Sequence, residues 1–466
     1  MSSENLNKAL DYAKNNSDSF KNDLCLMSKI PSISAEGYDP KFVKESAQEV
    51  ARQMKEVGLK NVEVIEFENA HPYAYGEWLE KKDAPTLLLY AHHDVQPTGK
   101  IEKWFNKTPF EPTEKDGRLY GRGVVDDKAG IMIHLAAIKS YLQTCGELPI
   151  NIKMIVEGEE EIGSDNLDAF VANYKDKLKA DCMVLTDTAN LYEGLPSITY
   201  LLRGLVGVDI TVKALKQQVH SGMWGGPLPD PAMILSQLIA SLKDTKGNLT
   251  IEGINNGVKV LTKEEKDRLN SLPFDEELFI EHAGLLDGVK LHKFDNTSVY
   301  EQLWHKPALT VVALESCNIK DSANQIIDSA RARVSIRIVP EQNPQEISEA
   351  LINHLKKHSP DGVIVELEPH VPATWWYTEP KGKAFNAAIN ALEKGYNKKP
   401  VFIGAGGTIP FVKPFSDNLG GIPALLLGLE DPECHAHSEN ESLSLIDFYK
   451  AINSAIYLYE NLTNLD

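Results

Sequence analysis

The sequence predicts an α/β fold in which a mainly parallel sheet is interrupted by an inserted α+β sandwich. Short apolar runs alternate with amphipathic helical stretches in residues 1–197, as expected for strands and helices in turn. Half-exposed alternating stretches dominate residues 198–371. The first pattern returns in residues 372–466, so we expect these to complete the domain formed by residues 1–197.

The elements of the first domain follow from the spacing of its apolar residues. Apolar residues recur every three or four positions between 43 and 57, which predicts a helix that Gly58 can end. The run TLLLY at 86–90 is typical of a strand buried on both faces. A helix is expected after the acidic pair at 126–127, and an alternating strand at 150–156.

The inserted segment shows a different pattern. Its expected elements are strands at 204–215, 330–339 and 363–367 and helices at 231–242 and 346–357. After it we expect a helix at 383–396 and a buried strand at 423–427. A final amphipathic helix follows, with Ser444 as its N-cap.

Composition and charge argue against several classes of protein. The 466 residues are 42% hydrophobic and 25% charged, as in ordinary globular proteins, and suggest two or three domains. The 48 basic and 67 acidic residues give a net charge of −19, which disfavours nucleic acid and anionic membrane surfaces as partners. No apolar run approaches the roughly 20 residues of a membrane span.

The cysteines and the N-terminal residues predict a cytoplasmic protein. The five cysteines are scattered and form no C-x-x-C pair, as expected of reduced thiols. The first ten residues, MSSENLNKAL, lack the basic and apolar stretches of a signal peptide.

A histidine and an aspartate directly follow the TLLLY strand. In an extended backbone the side chains of His92 and Asp94 lie on the same side, so an imidazole can face a metal while a carboxylate holds nearby polar groups in place. Alone, this H-x-D pattern is more often a polar loop than a metal site. His93 points the opposite way, and we interpret it as structural or surface-exposed.

Two acidic segments come next along the chain. In GRGVVDDK (residues 121–128), Asp126 or Asp127 could be a ligand or simply an N-cap of the following helix. In EGEEEIGS (residues 157–164), consecutive carboxylates repel each other, so they are either solvated or neutralised by a cation. The apolar strand that precedes these carboxylates favours their neutralisation by a cation.

A fourth segment, CHAHSENE (residues 434–441), adds two imidazoles. A single cysteine supports a thiolate zinc site poorly, so the four segments together predict a divalent site of nitrogen and oxygen ligands. Zinc fits best, with manganese or cobalt as alternatives. There are more carboxylates than one ion needs, which indicates two ions sharing an aspartate, with a spare glutamate as general base. The plain alternative is a structural α/β protein with acidic loops.

These four segments, in this order, resemble the M20 family of metallopeptidases and, within it, the carnosinase-like cytosolic dipeptidases. The resemblance rests on AHHDVQP, GRGVVDDK, EGEEEIGS and AHSENE. It also rests on Asp187, which ends the segment CMVLTD after a predicted strand. It implies that Asp94 orients a ligand, that Glu160 is the general base and that Asp126 bridges two ions. The implied ligands are Asp126, Glu161 and His437 for one ion and His92, Asp126 and Asp187 for the other.

The inserted domain contributes further matches. VHSG with a following Gly-Gly resembles the family pattern H-S-G-x-x-G-G, in which His220 reaches a neighbouring subunit and binds the developing oxyanion. The resemblance makes Arg337 the group that binds a substrate carboxylate and Asn324 an amide near the substrate. Gly407 and Thr408 match a loop whose N–H groups hold a carboxylate. Without the resemblance, His220 and Arg337 would be interpreted as surface residues.

The resemblance implies a di-metal amidohydrolase with a lid and dimerisation domain. The expected reaction is hydrolysis of dipeptides or short peptides that carry a free carboxylate, by a metal-bridged hydroxide with Glu160 as base. The alternatives are an N-acyl-amino-acid deacylase or succinyl-diaminopimelate desuccinylase-like enzyme, or a non-catalytic member that binds peptide or metal. The expected partners are the small substrate and a second copy of the chain, bound through the inserted domain, with no nucleic acid and no membrane.

Overall fold

The computed structural model describes residues 3–293, 296–407 and 412–465. They form two compact units. The first unit comprises Met1–Tyr200, Thr378–Ile403 and Phe411–Asp466, and the second comprises Leu201–Tyr377 and Gly404–Pro410. The second unit is therefore an insertion into the first.

The helices of the described residues range from one turn to five. None of them is both long enough and apolar enough to cross a membrane. Their bounds are α1 Ser3–Asn15, α2 Ser17–Ser28, α3 Lys41–Val57, α4 Lys128–Cys145, α5 Leu167–Asn173, α6 Lys175–Leu178, α7 Ser221–Trp224, α8 Pro231–Ala240, α9 Lys263–Asn270, α10 Glu276–His282, α11 Val299–His305, α12 Pro344–His358, α13 Lys383–Tyr396, α14 Val412–Asn418 and α15 Leu445–Asn461.

The strands are short and most belong to one of two large sheets. Their bounds are β1 Lys60–Ile65, β2 Tyr73–Trp78, β3 Thr86–His92, β4 Thr113–Lys115, β5 Arg118–Tyr120, β6 Asn151–Glu157, β7 Cys182–Leu185, β8 Ser197–Leu202, β9 Gly204–Lys213, β10 Val219–His220, β11 Ala308–Glu315, β12 Gln325–Ile326, β13 Ser329–Ile338, β14 Ile364–Pro369, β15 Trp376–Tyr377, β16 Val401–Ala405, β17 Ala424–Leu427 and β18 Ser442–Ser444.

The sheet of the first unit runs in the order β1-β2-β6-β3-β7-β17-β8. Its four central strands, β6, β3, β7 and β17, are parallel, and the pairs towards both edges are antiparallel. Parallel strands end at the same edge of a sheet, so the loops that follow β3, β6, β7 and β17 begin close together. This sheet and its helices confirm the predicted α/β class.

Helices pack on this sheet through the apolar faces that the sequence predicts. Residues of α3 such as Val43 and Val50 are buried, and the helix ends at Gly58, whose φ of 104° is left-handed. Helix α4 is buried over most of its length, and Ser444 is the N-cap of α15, with its hydroxyl accepting the Asp447 N–H. Asp127 occupies the N-cap position of α4 but makes no capping hydrogen bond, so a capping role does not explain its side chain.

The second unit contains an antiparallel sheet in the order β11-β13-β9-β14. Helices α8 and α12 share a hydrophobic core with β9 and β13. Alternate residues of β13 are buried, whereas Arg331 and Arg333 face solvent. This is the predicted α+β sandwich, with β11 and the short β10–β12 ribbon as elements that the sequence did not reveal.

Candidate metal centre

The ends of the central strands of the first unit carry the candidate ligands. β3 ends at His92, and the segment after β6 contains Glu161. Asp187 lies two residues beyond β7, and the loop after β17 contains His437. Asp126 lies just before α4.

Five of these side chains converge into two groups of three. His92, Asp126 and Asp187 form one group, and Asp126, Glu161 and His437 form the other. Within each group the ligand atoms lie within 4.8 Å of one another. The structure thus brings together all five residues that the resemblance implies as ligands.

Asp126 belongs to both groups and turns one oxygen to each. Its Oδ1 lies 3.0 Å from His92 Nε2, and its Oδ2 lies 3.0 Å from His437 Nε2. Asp187 Oδ1 is 3.9 Å from His92 Nε2, and Glu161 Oε2 is 3.1 Å from His437 Nε2. A carboxylate placed in this way can bridge two cations.

The electrostatics show that this cluster needs positive charge. Burial and the charge of Asp126 raise the pKa of Glu161 to about 7. Hydrogen bonds to Asp126 and Glu161 raise the pKa of His437 to about 11. Burial opposes protonation of His92, yet its hydrogen bonds to Asp126 and Asp187 raise its pKa well above the ordinary value. Without another cation, protons on Glu161 and on the two imidazoles are therefore favoured in this cluster.

Divalent metal ions fit this donor set. Two imidazole nitrogens and three carboxylates suit zinc, manganese or cobalt rather than a soft ion that prefers thiolates. Each group supplies three protein ligands, as in catalytic sites that keep a position for water or substrate.

Asp94 holds the surroundings of the ligands in place. Its carboxylate is fully buried, lies 3.4 Å from His92 Nδ1 and accepts the Ser34 hydroxyl at 2.6 Å. It also accepts the backbone N–H groups of Glu160 and Glu161, at 3.2 and 3.1 Å. One side chain thus orients both an imidazole and the acidic turn, in keeping with the role that the resemblance implies.

Glu160 adjoins the ligands but, among the described residues, belongs to neither group. It opens a 3₁₀ turn, Glu160–Ile162. Burial and the charge of Asp187 raise the pKa of its carboxyl group well above the usual range. A carboxyl group in such surroundings readily binds a proton near neutral pH.

The other predicted site residues lie in the second unit. The β10–β12 ribbon brings His220 and Asn324 together, with the Asn324 carbonyl accepting the Ser221 N–H at 2.9 Å. Arg337 is half-buried on β13, and burial lowers its pKa. Gly407 is exposed, and Thr408 lies outside the described residues.

Two further acidic residues near the candidate ligands, Glu430 and Glu441, were not predicted from the sequence. Burial and the charges of Asp126 and Asp187 raise the pKa of Glu430, three residues beyond the end of β17. Like Asp187, it follows a buried parallel strand. Glu441, in the AHSENE segment, is fully buried and paired with Arg122 at 2.6 Å. A charge buried in the core leaves no pattern in a single sequence.

His93 proves to be structural, as the alternation of strand side chains predicts. Its ring is fully buried, and its Nε2 lies 2.9 Å from the Pro72 carbonyl oxygen. Burial lowers its pKa to about 4, so the imidazole is neutral at physiological pH.

Comparison with known proteins agrees with this architecture. Residues 88–461 match the model of Peptidase family M20/M25/M40. The chain therefore belongs to the M20 family of peptidases.

Individual relatives cover nearly the whole chain. A cysteinylglycine-S-conjugate dipeptidase of Corynebacterium striatum is 31% identical over 402 residues, 86% of each chain. Human carnosine dipeptidase 1 is a structural neighbour with a TM-score of 0.85 and 26% identity, covering 99% of both chains. An M20 family metallo-carboxypeptidase of Sulfolobus solfataricus has a TM-score of 0.82 and 30% identity, covering 95% of this chain and 99% of its own.

The raised pKa values predict that the metal-free protein loses stability as the pH rises. The proton on His437 stabilises the folded state fully below its usual pKa of 6.5, and this contribution is lost towards pH 11. Glu161 acts in the same direction between its usual 4.5 and about 7. Urea unfolding midpoints of metal-free protein should therefore fall between about pH 5 and pH 9.

Two controls accompany this measurement. His437→Gln should make the decline above about pH 7 shallower, since His92 still contributes to it. With Zn²⁺ bound, the ligands are held deprotonated, so the midpoint of the loaded protein should instead rise up to about pH 7. A midpoint that rises with pH in the metal-free protein would contradict the electrostatics described here.

Proposed function

We propose that this protein is a di-metal amidohydrolase that cleaves dipeptides or short peptides with a free carboxylate. The observation that carries the proposal is Asp126, which is shared by two three-ligand groups beside the carboxyl group of Glu160. The names of the relatives, which include a cysteinylglycine-S-conjugate dipeptidase and a carnosine dipeptidase, support the substrate class.

We assign one divalent ion to each ligand group, zinc first and manganese or cobalt as alternatives. Asp126, Glu161 and His437 would hold one ion, and His92, Asp126 and Asp187 the other. When bound, such ions supply Lewis-acid chemistry, polarising a carbonyl group and lowering the pKa of water.

Glu160 is assigned as the general base. A carboxylate whose pKa is raised towards the working pH can take a proton from the attacking water and pass one to the leaving amine. Burial and Asp187 raise its pKa, and the hydrogen bond from its backbone N–H to Asp94 fixes its position.

His220 is assigned to the substrate carbonyl oxygen. Its Nδ1 accepts the Gly222 N–H at 3.0 Å, so the proton of the neutral ring is on Nε2. An exposed Nε2–H can donate to an oxygen that gains negative charge during the reaction. We further assign Arg337 to the substrate carboxylate, with Asn324 and the loop of Gly407 and Thr408 as supporting contacts.

Two alternatives use the same fold. An N-acyl-amino-acid deacylase or desuccinylase would need the same ions and base but a different substrate pocket. A protein that only binds peptide or metal would have no use for a base such as Glu160 beside the ligands. The metallo-carboxypeptidase neighbour makes longer peptides a further class to test.

We propose that two copies associate through the inserted domain. β11 forms one edge of the sheet of the second unit and exposes apolar side chains, with Val312 57% and Leu314 59% accessible. An apolar edge strand with unpaired backbone groups favours pairing with another strand. A second copy of β11 is its natural partner in a symmetric dimer.

We also propose a cytoplasmic location. All five cysteines are free, and two of them, Cys182 and Cys434, are buried. Unpaired thiols in a chain of this length are typical of a reducing compartment.

Glu160→Gln should lower kcat by a factor of roughly 10²–10⁴ because the amide cannot accept the proton of water. Both metal ions should be retained, since Glu160 lies outside both ligand groups. His92→Ala is the contrasting variant and should lose metal. Steady-state kinetics with elemental analysis checks both, and near-normal turnover in Glu160→Gln would remove Glu160 from the mechanism.

A substrate panel tests the proposed specificity. Cys-Gly and β-Ala-His should be cleaved faster than N-acetyl and N-succinyl amino acids or a tetrapeptide, with Zn²⁺ or Mn²⁺ supplied. Faster cleavage of the acylated compounds would identify a deacylase, and metal binding without any cleavage would indicate a non-catalytic member.

The same panel includes a test of carboxylate recognition. Arg337→Met should raise KM for dipeptides because the guanidinium no longer meets the carboxylate. The control is Arg333→Met on the same face of β13, whose guanidinium donates two hydrogen bonds to Asp209. Equal KM changes in both variants would contradict the assignment of Arg337.

Leu314→Lys should convert the dimer to a monomer because the new charges oppose each other across paired β11 strands. Ile364→Lys is the matched control, since Ile364 is 61% exposed on β14 at the opposite edge of the sheet. Sedimentation velocity distinguishes the species. Monomeric wild-type protein, or dimeric Leu314→Lys, would overturn the proposed interface.

A further inference from the structure

An ion pair with no assigned role lies beside the candidate ligands. Arg122 Nη1 is 2.6 Å from Glu441 Oε2, and the two residues are 1% and 0% exposed. Neither residue belongs to a ligand group of the described residues. A fully buried ion pair contributes little net stability compared with apolar residues, so its stabilising effect alone does not explain its presence.

Glu441 binds the backbone of the loop that carries Asp126. Its Oε2 accepts the N–H of Gly123 at 3.1 Å, and its Oε1 accepts the N–H groups of Val125 and Asp126 at 3.2 and 3.4 Å. One carboxylate therefore accepts three N–H groups of the short backbone segment that ends at the shared ligand. Its own main-chain carbonyl accepts the Gly121 N–H at 3.0 Å.

Arg122 binds the backbone of two other segments. Its Nη2 donates to the carbonyl oxygens of Pro97 and Ser438, both at 3.0 Å. Ser438 directly follows His437, whose φ of 63° is in the left-handed region that non-glycine residues rarely adopt. The guanidinium also lies over the ring of Trp104, 5.7 Å from its centroid.

The pair thus joins the loop of Asp126 to the loop of His437 and to the segment after His92 and Asp94. These segments come from distant parts of the chain, and Arg122 and Glu441 are 319 residues apart. Hydrogen bonds from or to ionised groups are shorter and stronger than neutral ones. The charges of Arg122 and Glu441 therefore strengthen the hydrogen bonds that join these segments.

We infer that Arg122 and Glu441 form a positioning pair that holds Asp126 against His437, so that both metal ions bind in adjacent sites. The inference rests on the proposed function for the meaning of the two ligand groups. It concerns metal affinity, which can be measured without any substrate.

The experiment is a titration of metal-free protein with Zn²⁺ in the presence of a competing chelator, with ion stoichiometry from elemental analysis. Glu441→Gln and Arg122→Met should each lower the affinity for at least one ion by a factor of about 10–100, as expected for outer partners of metal ligands. Arg122→Lys keeps the charge but loses the forked geometry, and it should lie between the wild type and Arg122→Met.

A double variant separates positioning from simple stabilisation. In Arg122→Met/Glu441→Gln no buried charge is left uncompensated, so the urea midpoint should recover from the single-variant values. The Zn²⁺ affinity should stay lowered because the carbonyl groups of Pro97 and Ser438 have lost their donor. If affinity recovers together with the midpoint, the pair is merely structural and the inference is overturned.

A second ion pair of the same unit provides the control. Arg118 Nη2 lies 2.9 Å from Asp431 Oδ2, and the same guanidinium bonds Ser442 of β18. Arg118→Met should lower the urea midpoint and leave Zn²⁺ affinity within about threefold of wild type, since these bonds do not reach the backbone beside Asp126 or His437. An equal loss of affinity in Arg118→Met would overturn the inference.

The outcome is distinguishable from failure of the proposed function. If the wild type binds two ions and cleaves nothing while the Arg122 and Glu441 variants lose affinity, the positioning role stands and the proposed hydrolysis fails. If the wild type cleaves dipeptides while these variants keep wild-type affinity, the positioning role fails and the proposed function stands. A wild type that binds no second ion overturns the positioning role.

Discussion

Mutual repulsion between buried carboxylates is the constraint on which the rest of the first unit depends. Asp126, Glu161, Asp187 and Glu160 crowd the carboxyl edge of a parallel sheet, where burial raises the pKa of Glu160 and of Glu161. Two imidazoles and their protons neutralise part of this charge in the isolated protein, and divalent ions can take the place of the protons. A cluster that is unfavourable alone thereby favours the binding of cations.

Such a cluster needs a rigid support, because carboxylates that could move apart would repel each other less and would bind a cation more weakly. The parallel strands supply the first level of support by ending together. Asp94 supplies the second by holding His92 and the turn of Glu160 from one buried carboxylate. The Arg122–Glu441 pair links the remaining loops, and sites built on rigid elements hold their geometry better than sites on free loops.

Much of this architecture is predictable from the sequence, since strongly periodic helices and buried strands such as α3 and β3 leave clear patterns. The H-x-D pattern after the TLLLY strand makes His92 a candidate, and the family resemblance adds the remaining ligands, Asp187 among them. β11 was missed because its exposed apolar residues break the alternation of a half-buried strand. Glu441 was missed because its partner Arg122 is more than 300 residues away, and only the folded chain brings the two together. The roles of the site residues remain predictions, whereas their convergence is an observed property of the fold.

The two ligand groups share the carboxylate of Asp126, and this has a consequence for how they would bind metal ions. Asp126 Oδ1 faces one ligand group and Oδ2 faces the other. An ion bound to either group would therefore change the charge and the orientation that Asp126 presents to the other group. Thermodynamic linkage requires this influence to be mutual and equal in free energy. In the proposed two-ion site, the two halves would therefore bind their ions cooperatively through the one side chain that they share.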